Sequence, residues 1–172
     1  MADLKALVRD IPDFPEEGVV FKDITPVLAN GDAFRELISA MSEPFRDMGV
    51  SKVAGIEARG FTLATPVADR LGAGFIPLRK PGKLPYETVR ADYQLEYGLD
   101  ALEMHTDAVL DGEKVLLVDD VIATGGTAAA AIALLRRVGA DVVGLSVFIE
   151  LTFLGGTSKL DGVPLHALLR YD

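Results

Sequence analysis

The sequence predicts an α/β fold in which a central, mostly parallel sheet is flanked by helices, and three observations predict it. Short apolar runs at 52–56, 74–78, 115–118 and 142–149 alternate with helical stretches, the order that builds a parallel sheet. The helical stretches 61–71 and 127–138 each stop at a glycine, Gly72 and Gly139, the residue favoured at helix C-termini. An apolar content of 49% and a mean hydropathy of +0.29 suffice for strands buried on both faces.

The elements follow in chain order. The first thirty residues, with Pro12, Pro15 and Pro26, do not fit the alternation and are expected to form a small hood beside the sheet. Phe34, Leu37, Ile38, Met41, Phe45 and Met48 keep helical spacing, with Asp32 placed as N-cap and Pro44 positioned to kink or divide the helix. Residues 79–99, rich in charge and interrupted by Pro81, Gly82 and Pro85, read as a mobile lid loop. The end of the chain, about 150–172 with an apolar run at 165–169, is expected to complete the hood. At 172 residues without repeat or linker, the chain reads as one domain, 1–172.

Composition excludes several functions. Seventeen Lys and Arg against 26 Asp and Glu leave a net charge of −9, which repels phosphate backbones and argues against nucleic-acid binding. Without cysteine there is no disulfide framework, thiolate zinc site or thiol nucleophile. His105 and His166 are far apart and match no metal or triad pattern. There is no P-loop, and Gly72-Ala73-Gly74 precedes a strand where a dinucleotide turn follows one. The longest uncharged run, 121–135, falls short of the roughly 20 residues a bilayer span needs, so no membrane association is expected. With no signal peptide, a cytoplasmic location is expected.

The strongest signal is the segment 114–127. An apolar strand runs into Asp119 and Asp120, then a small-residue turn, Ala123-Thr124-Gly125-Gly126-Thr127, then an alanine-rich helix. In parallel sheets ligands bind beyond the carboxyl ends of strands, where both acids are expected to fall. Glycines permit close backbone approach, the free N–H groups of a helix start attract an anion, and Thr124 and Thr127 add hydroxyl donors. Acids beside a phosphate cradle would repel the phosphate, so they must face hydroxyl donors or a metal ion. A sugar phosphate with a free cis-diol satisfies both halves. A helix cap and a tight turn alone would need only one acid.

This segment resembles the phosphoribosyl diphosphate (PRPP) signature of type I phosphoribosyltransferases. Four further segments resemble the adenine-specific members of that family: Gly18 to Pro26, Glu57-Ala58-Arg59-Gly60-Phe61, Arg79 to Pro85, and Tyr93 to Gly98. The resemblance thus spans nearly the whole chain. Lys22 stands where several relatives have arginine, and Ala64 closes a segment that lacks a second glycine found in some relatives.

The resemblance implies the roles. Ala123, Thr124, Gly125, Gly126 and Thr127 would bind the 5-phosphate of PRPP, and Asp119 and Asp120 its ribose hydroxyls. Arg59 and Gly60, in a diphosphate loop whose non-proline peptide is often cis in this fold, would bind the diphosphate with Arg79, Lys80 and Lys83. The last three equally suit a solvated basic face. Val20, Phe21 and Lys22 would bind adenine, with Phe21 stacking on the ring, although Phe21 also suits a core position. Glu96 would exchange a proton with the base while Tyr97 shields the site, and Arg59 would stabilise the leaving group. Magnesium, held by PRPP and water with no direct protein ligand, is the implied cofactor. The implied reaction is adenine plus PRPP to AMP plus diphosphate, in purine salvage, by a homodimer. Transfer to another purine base is the alternative within the class. A PRPP-sensing regulator is the alternative outside it, and such a regulator usually carries a DNA-binding module for which the length and charge leave no room.

Overall fold

The computed structural model describes residues 3–95 and 98–172. The chain divides into two compact units, Met1–Ala40 and Met41–Asp172.

The first unit begins with a helical turn, α1 (Leu4–Leu7), whose N–H at Ala6 is accepted by Asp3. Strands β1 (Arg9–Pro12) and β2 (Val20–Asp23) pair antiparallel with Ile11 opposite Phe21. A short helix, α2 (Thr25–Ala29), carries Pro26 in its first turn, where a missing N–H costs nothing. Next comes α3 (Gly31–Ser42). Its cap is Asn30 and not Asp32: Asn30 Oδ1 accepts the N–H groups of Asp32 and Ala33, each at 3.1 Å. Pro44 ends α3 as its spacing predicts, because the chain tightens into a 3₁₀ turn at Glu43–Phe45.

The second unit contains β3 (Lys52–Ile56), α4 (Arg59–Leu71), β4 (Gly74–Leu78), β5 (Thr88–Leu95), β6 (Gly98–His105), β7 (Lys114–Ile122), α5 (Gly126–Arg137), β8 (Asp141–Leu151) and β9 (Leu165–Tyr171). Five of these strands form a parallel sheet in the order β4-β3-β7-β8-β9. Helix α4 packs on β3 and β7, while α5 packs on β5, β6, β7 and β8. The core between them is built from residues such as Ile56, Leu78, Leu117, Ile132, Leu135 and Val147.

Three expectations are corrected. The run 165–169 is not part of a hood but the edge strand β9, with Leu145 opposite Leu165 and Leu151 opposite Tyr171. It covers the flank of β8, which would otherwise present a long unpaired edge. The stretch 79–99 is largely not a loop: β5 and β6 form an antiparallel ribbon, with Thr88 opposite His105 and Tyr93 opposite Asp100. Val89, Ala91 and Tyr93 pack against the core while Arg90 and Asp92 face solvent, the period-two alternation of a half-buried strand. Finally, β7 does not end before its two acids; it pairs with β8 as far as Ile122 opposite Glu150.

The strand order places the site. From β3 the chain crosses through α4 to β4 on one side, and from β7 through α5 to β8 on the other. The two connections therefore diverge between β3 and β7, and a crevice opens at their carboxyl ends.

Candidate active site

That crevice is a cavity of about 460 Å³, lined by Glu57, Ala58 and Arg59 after β3, by Asp119, Asp120 and Thr127 from β7 and α5, and by Lys80, Tyr93 and Asp100. A smaller cleft of about 100 Å³ lies beside it against Ala123, Thr124, Gly125, Gly126 and Thr127.

The turn after β7 follows from its glycines. Gly125 has φ +77°, a conformation that side chains disfavour, and α5 starts at Gly126 with its first N–H groups outside any helical ladder. A Cβ on Gly125 would lie 2.2 Å from the carbonyl oxygen of Gly156, and one on Gly156 would lie 2.2 Å from that of Ala123. Two backbones are thus pressed together with no side chain between them, which braces the turn. The Gly155-Gly156 pair was a legible signal of that approach, and the sequence reading passed over it.

The acids sit near the end of β7's ladder, just before this turn. Asp119 Oδ1 accepts the N–H of Asp120 at 2.9 Å. Asp120 is 4% exposed, and Arg59 Nε lies 2.7 Å from its Oδ2, near enough for an ion pair but out of line for a hydrogen bond, so that buried oxygen keeps an unused acceptor. Burial pushes both carboxyls upward; the charge of Asp120 pushes Asp119 further, and the Arg59 guanidinium pulls Asp120 back. Gly60 makes this proximity possible, because a Cβ there would meet Asp119 Oδ1 at 2.8 Å. The helix start at Arg59 follows a cis peptide between Glu57 and Ala58. Ala64 fits without a second glycine because its partner on β3 has no side chain: a Cβ on Gly55 would lie 2.6 Å from that of Ala64.

Arg79 and Lys80 are each held by a carboxylate. Arg79 Nε donates to Glu57 Oε2 at 2.8 Å and its Nη1 to the Lys83 carbonyl at 3.2 Å. Lys80 Nζ lies 3.0 Å from Asp100 Oδ2. Arg59 and Lys80 line the large cavity; Arg79 and Lys83 are not among its lining residues, and Lys83 is exposed. Tyr93 and Asp100, which the sequence reading assigned no role, do line it.

Val20, Phe21 and Lys22 belong to the Met1–Ala40 unit. There Phe21 is half-buried with its ring edge-to-face with Phe14 at 5.1 Å, and Lys22 Nζ pairs with Asp10 at 2.7 Å. Glu96 and Tyr97 lie outside the described residues. Among the described residues no helix is long and apolar enough to cross a membrane, and no three His, Cys, Asp or Glu side chains converge as a metal cage.

The crevice thus gathers a helix start with free N–H groups, two carboxylates and the cations Arg59 and Lys80. The model of the phosphoribosyl transferase domain matches residues 23–152. The chain belongs to the phosphoribosyl transferase family. It is 60% identical over 161 residues to an adenine phosphoribosyltransferase of Thermobifida fusca, covering 94% of this chain and 92% of that one. The crystal structure of adenine phosphoribosyltransferase from Rhodothermus marinus superposes with a TM-score of 0.94 at 53% identity, over 98% of this chain and 96% of that one. The Saccharomyces cerevisiae enzyme, complexed with an imino-altritol bisphosphate and adenine, superposes with a TM-score of 0.93 at 41% identity, over 97% of each chain. The fold expected of the family, a central, mostly parallel sheet flanked by helices, is the fold observed, and the sheet has five strands.

Proposed function

We propose that this chain transfers the phosphoribosyl group of PRPP to adenine, giving AMP and diphosphate in purine salvage. The observation that carries the reading is the crevice at the ends of β3 and β7, where two adjacent acids, Thr127 and the cations Arg59 and Lys80 line one cavity beside a smaller cleft that holds the helix start of α5. Relatives sharing more than half its residues over nearly the full chain are adenine phosphoribosyltransferases, which supports adenine as the base.

In this reading the N–H groups at the start of α5 and the Thr124 and Thr127 hydroxyls hold the 5-phosphate. Asp119 and Asp120 accept the ribose hydroxyls, and the unused Oδ2 acceptor of Asp120 suits either such a hydroxyl or a metal-bound water. Arg59 and Lys80 receive the diphosphate, with Gly60 giving the helix start its close approach and Arg79 and Lys83 near the same end. A purine nitrogen attacks C1 of the ribose as the bond from C1 to the diphosphate oxygen breaks. The positive charge that develops on the sugar is stabilised by the two acids, and the negative charge of the leaving group by the cations, which is electrostatic catalysis. Phe21 stacks on adenine, while backbone groups of Val20 and Lys22 read its edge. Glu96 exchanges the base's proton, and Tyr97 shields the site. Proton transfer by a positioned group is worth about 10²- to 10⁴-fold.

Magnesium fits this donor set as an ion carried by the substrate. Asp120 would reach it through water, and its chemistry would be to neutralise charge on the departing diphosphate. The same reading takes the protein as a cytoplasmic homodimer.

The test is diphosphate release from PRPP with adenine, hypoxanthine, guanine, xanthine and orotate offered singly. Release with adenine alone is expected. Release with another base keeps the chemistry and overturns the base; no release despite PRPP binding overturns the enzyme.

A further inference from the structure

One carboxylate in the cavity wall has no part in the reaction described above. Asp100 stands on β6 directly across the ladder from Tyr93 on β5. Its Oδ1 accepts the N–H of Ala101 at 2.9 Å, while its Oδ2 accepts both the Lys80 ammonium at 3.0 Å and the Tyr93 phenol at 3.3 Å. Two donors, the Lys80 ammonium and the Tyr93 phenol, therefore converge on one carboxylate oxygen in the wall of the cavity.

Burial works to raise the Asp100 carboxyl, but the hydrogen bonds from Lys80 and Ala101 outweigh it and hold the group below the usual carboxylate range; the same contact raises Lys80. Both groups are charged at neutral pH. A carboxylate that occupies donors facing an anion site competes with any incoming anion. The Lys80 side chain is 57% exposed and that of Asp100 19%, so the pair is weak enough to exchange. A diphosphate, with several charges close together, gains more from Lys80 and Tyr93 than a single orthophosphate does.

We propose that Asp100 is a specificity-determining residue, a resident anion that occupies Lys80 and Tyr93 until a diphosphate group displaces it and so keeps orthophosphate-sized anions out. The identity of the displacing group rests on the phosphoribosyl-transfer reading; the anion selectivity does not require turnover to be measured.

The probe is inorganic phosphate, titrated calorimetrically into the full chain and used as an inhibitor competing with PRPP. Asp100→Asn keeps the shape and the acceptor for Ala101 while removing the charge, and Asp100→Ala removes both. Each variant is expected to bind phosphate roughly fivefold tighter than the unaltered protein, with a smaller preference for inorganic diphosphate over phosphate. Damage to the fold weakens binding, so tightening is a signature that a merely structural role does not produce. Phosphate binding that is unchanged or weaker in variants that melt normally overturns the proposal. If the unaltered protein releases no diphosphate with any base yet the variants bind phosphate more tightly, the transferase reading falls and the anion filter stands.

Discussion

Gly156 lies against the turn after β7 so closely that a Cβ on it would sit 2.2 Å from the carbonyl oxygen of Ala123. The obstacle is backbone, which cannot swing aside as the end of a side chain can. Gly156 is not among the positive-φ glycines, so the constraint there is purely one of space. Gly156→Ala is expected to destabilise the fold by about 1–3 kcal/mol and to raise the KM for PRPP, because the turn moves. Thermal melting and PRPP saturation curves check both; an unchanged KM would show that the turn does not need this brace.

Gly60 poses the same question at the other wall of the crevice. A Cβ there meets Asp119 Oδ1 at 2.8 Å and the Val118 carbonyl at 3.3 Å. Because Asp119 is short and already accepts the Asp120 N–H, it has little room to retreat. Gly60→Ala is expected to lower kcat/KM for PRPP by about tenfold, a loss of about 1.4 kcal/mol of transition-state binding. Steady-state kinetics with a melting control measures it.

The paired acids predict a conflict between stability and activity. Burial raises the carboxyl of Asp119, and the charge of Asp120 raises it further. A carboxyl that binds its proton more tightly in the folded than in the unfolded chain makes the fold less stable as pH rises from the ordinary carboxylate range to the raised value. Above that window the cost is fully present. Asp119→Asn, whose amide oxygen can still accept the Asp120 N–H, is therefore expected to stabilise the protein at neutral pH by about 1 kcal/mol while abolishing most activity. Denaturant unfolding at pH 7 beside an activity assay tests the pair of outcomes; a less stable variant would refute the argument.

The same direction sets the acid side of the activity profile. As pH falls Asp119 protonates before an ordinary aspartate would, and in the proposed reading the ribose hydroxyls then lose an ionised acceptor. The decline of kcat/KM for PRPP, which reports the free protein, is expected to begin above the usual carboxylate range. A profile that stays flat down to the pH of ordinary aspartates would contradict this assignment.

Ser146 offers a prediction remote from the chemistry. Its buried hydroxyl donates to the Met41 carbonyl at 3.0 Å, in the last turn of α3, where helix carbonyls have no partner of their own. Ser146→Ala is expected to cost about 1–2 kcal/mol of stability with kcat and KM unchanged.

Much of this architecture could be read along the chain. The boundaries of β3 and β4 follow from apolar runs punctuated by glycine, and the carboxylate-to-glycine segment 119–127 stands out as a strand running into a turn and a helix. The ribbon of β5 and β6 was present as an alternation of Val89, Ala91 and Tyr93 with Arg90 and Asp92, but charge and flanking prolines outweighed it in a linear reading. Nothing local marks 165–171 as the outer strand of the sheet, since pairing with β8 is decided by which edge lies open once the other four strands are in place.

What the amino-acid sequence alone determined is the class of fold, the glycine turn after β7 and the two acids that precede it, because propensity, period and local charge act between near neighbours. Only the tertiary structure decided that Arg59 faces Asp120, that Lys80 and Tyr93 meet on Asp100, and that Gly156 braces Gly125. Those contacts join residues 7 to 61 apart in the chain, and their partners are chosen by the pairing and order of the strands and the space left between them.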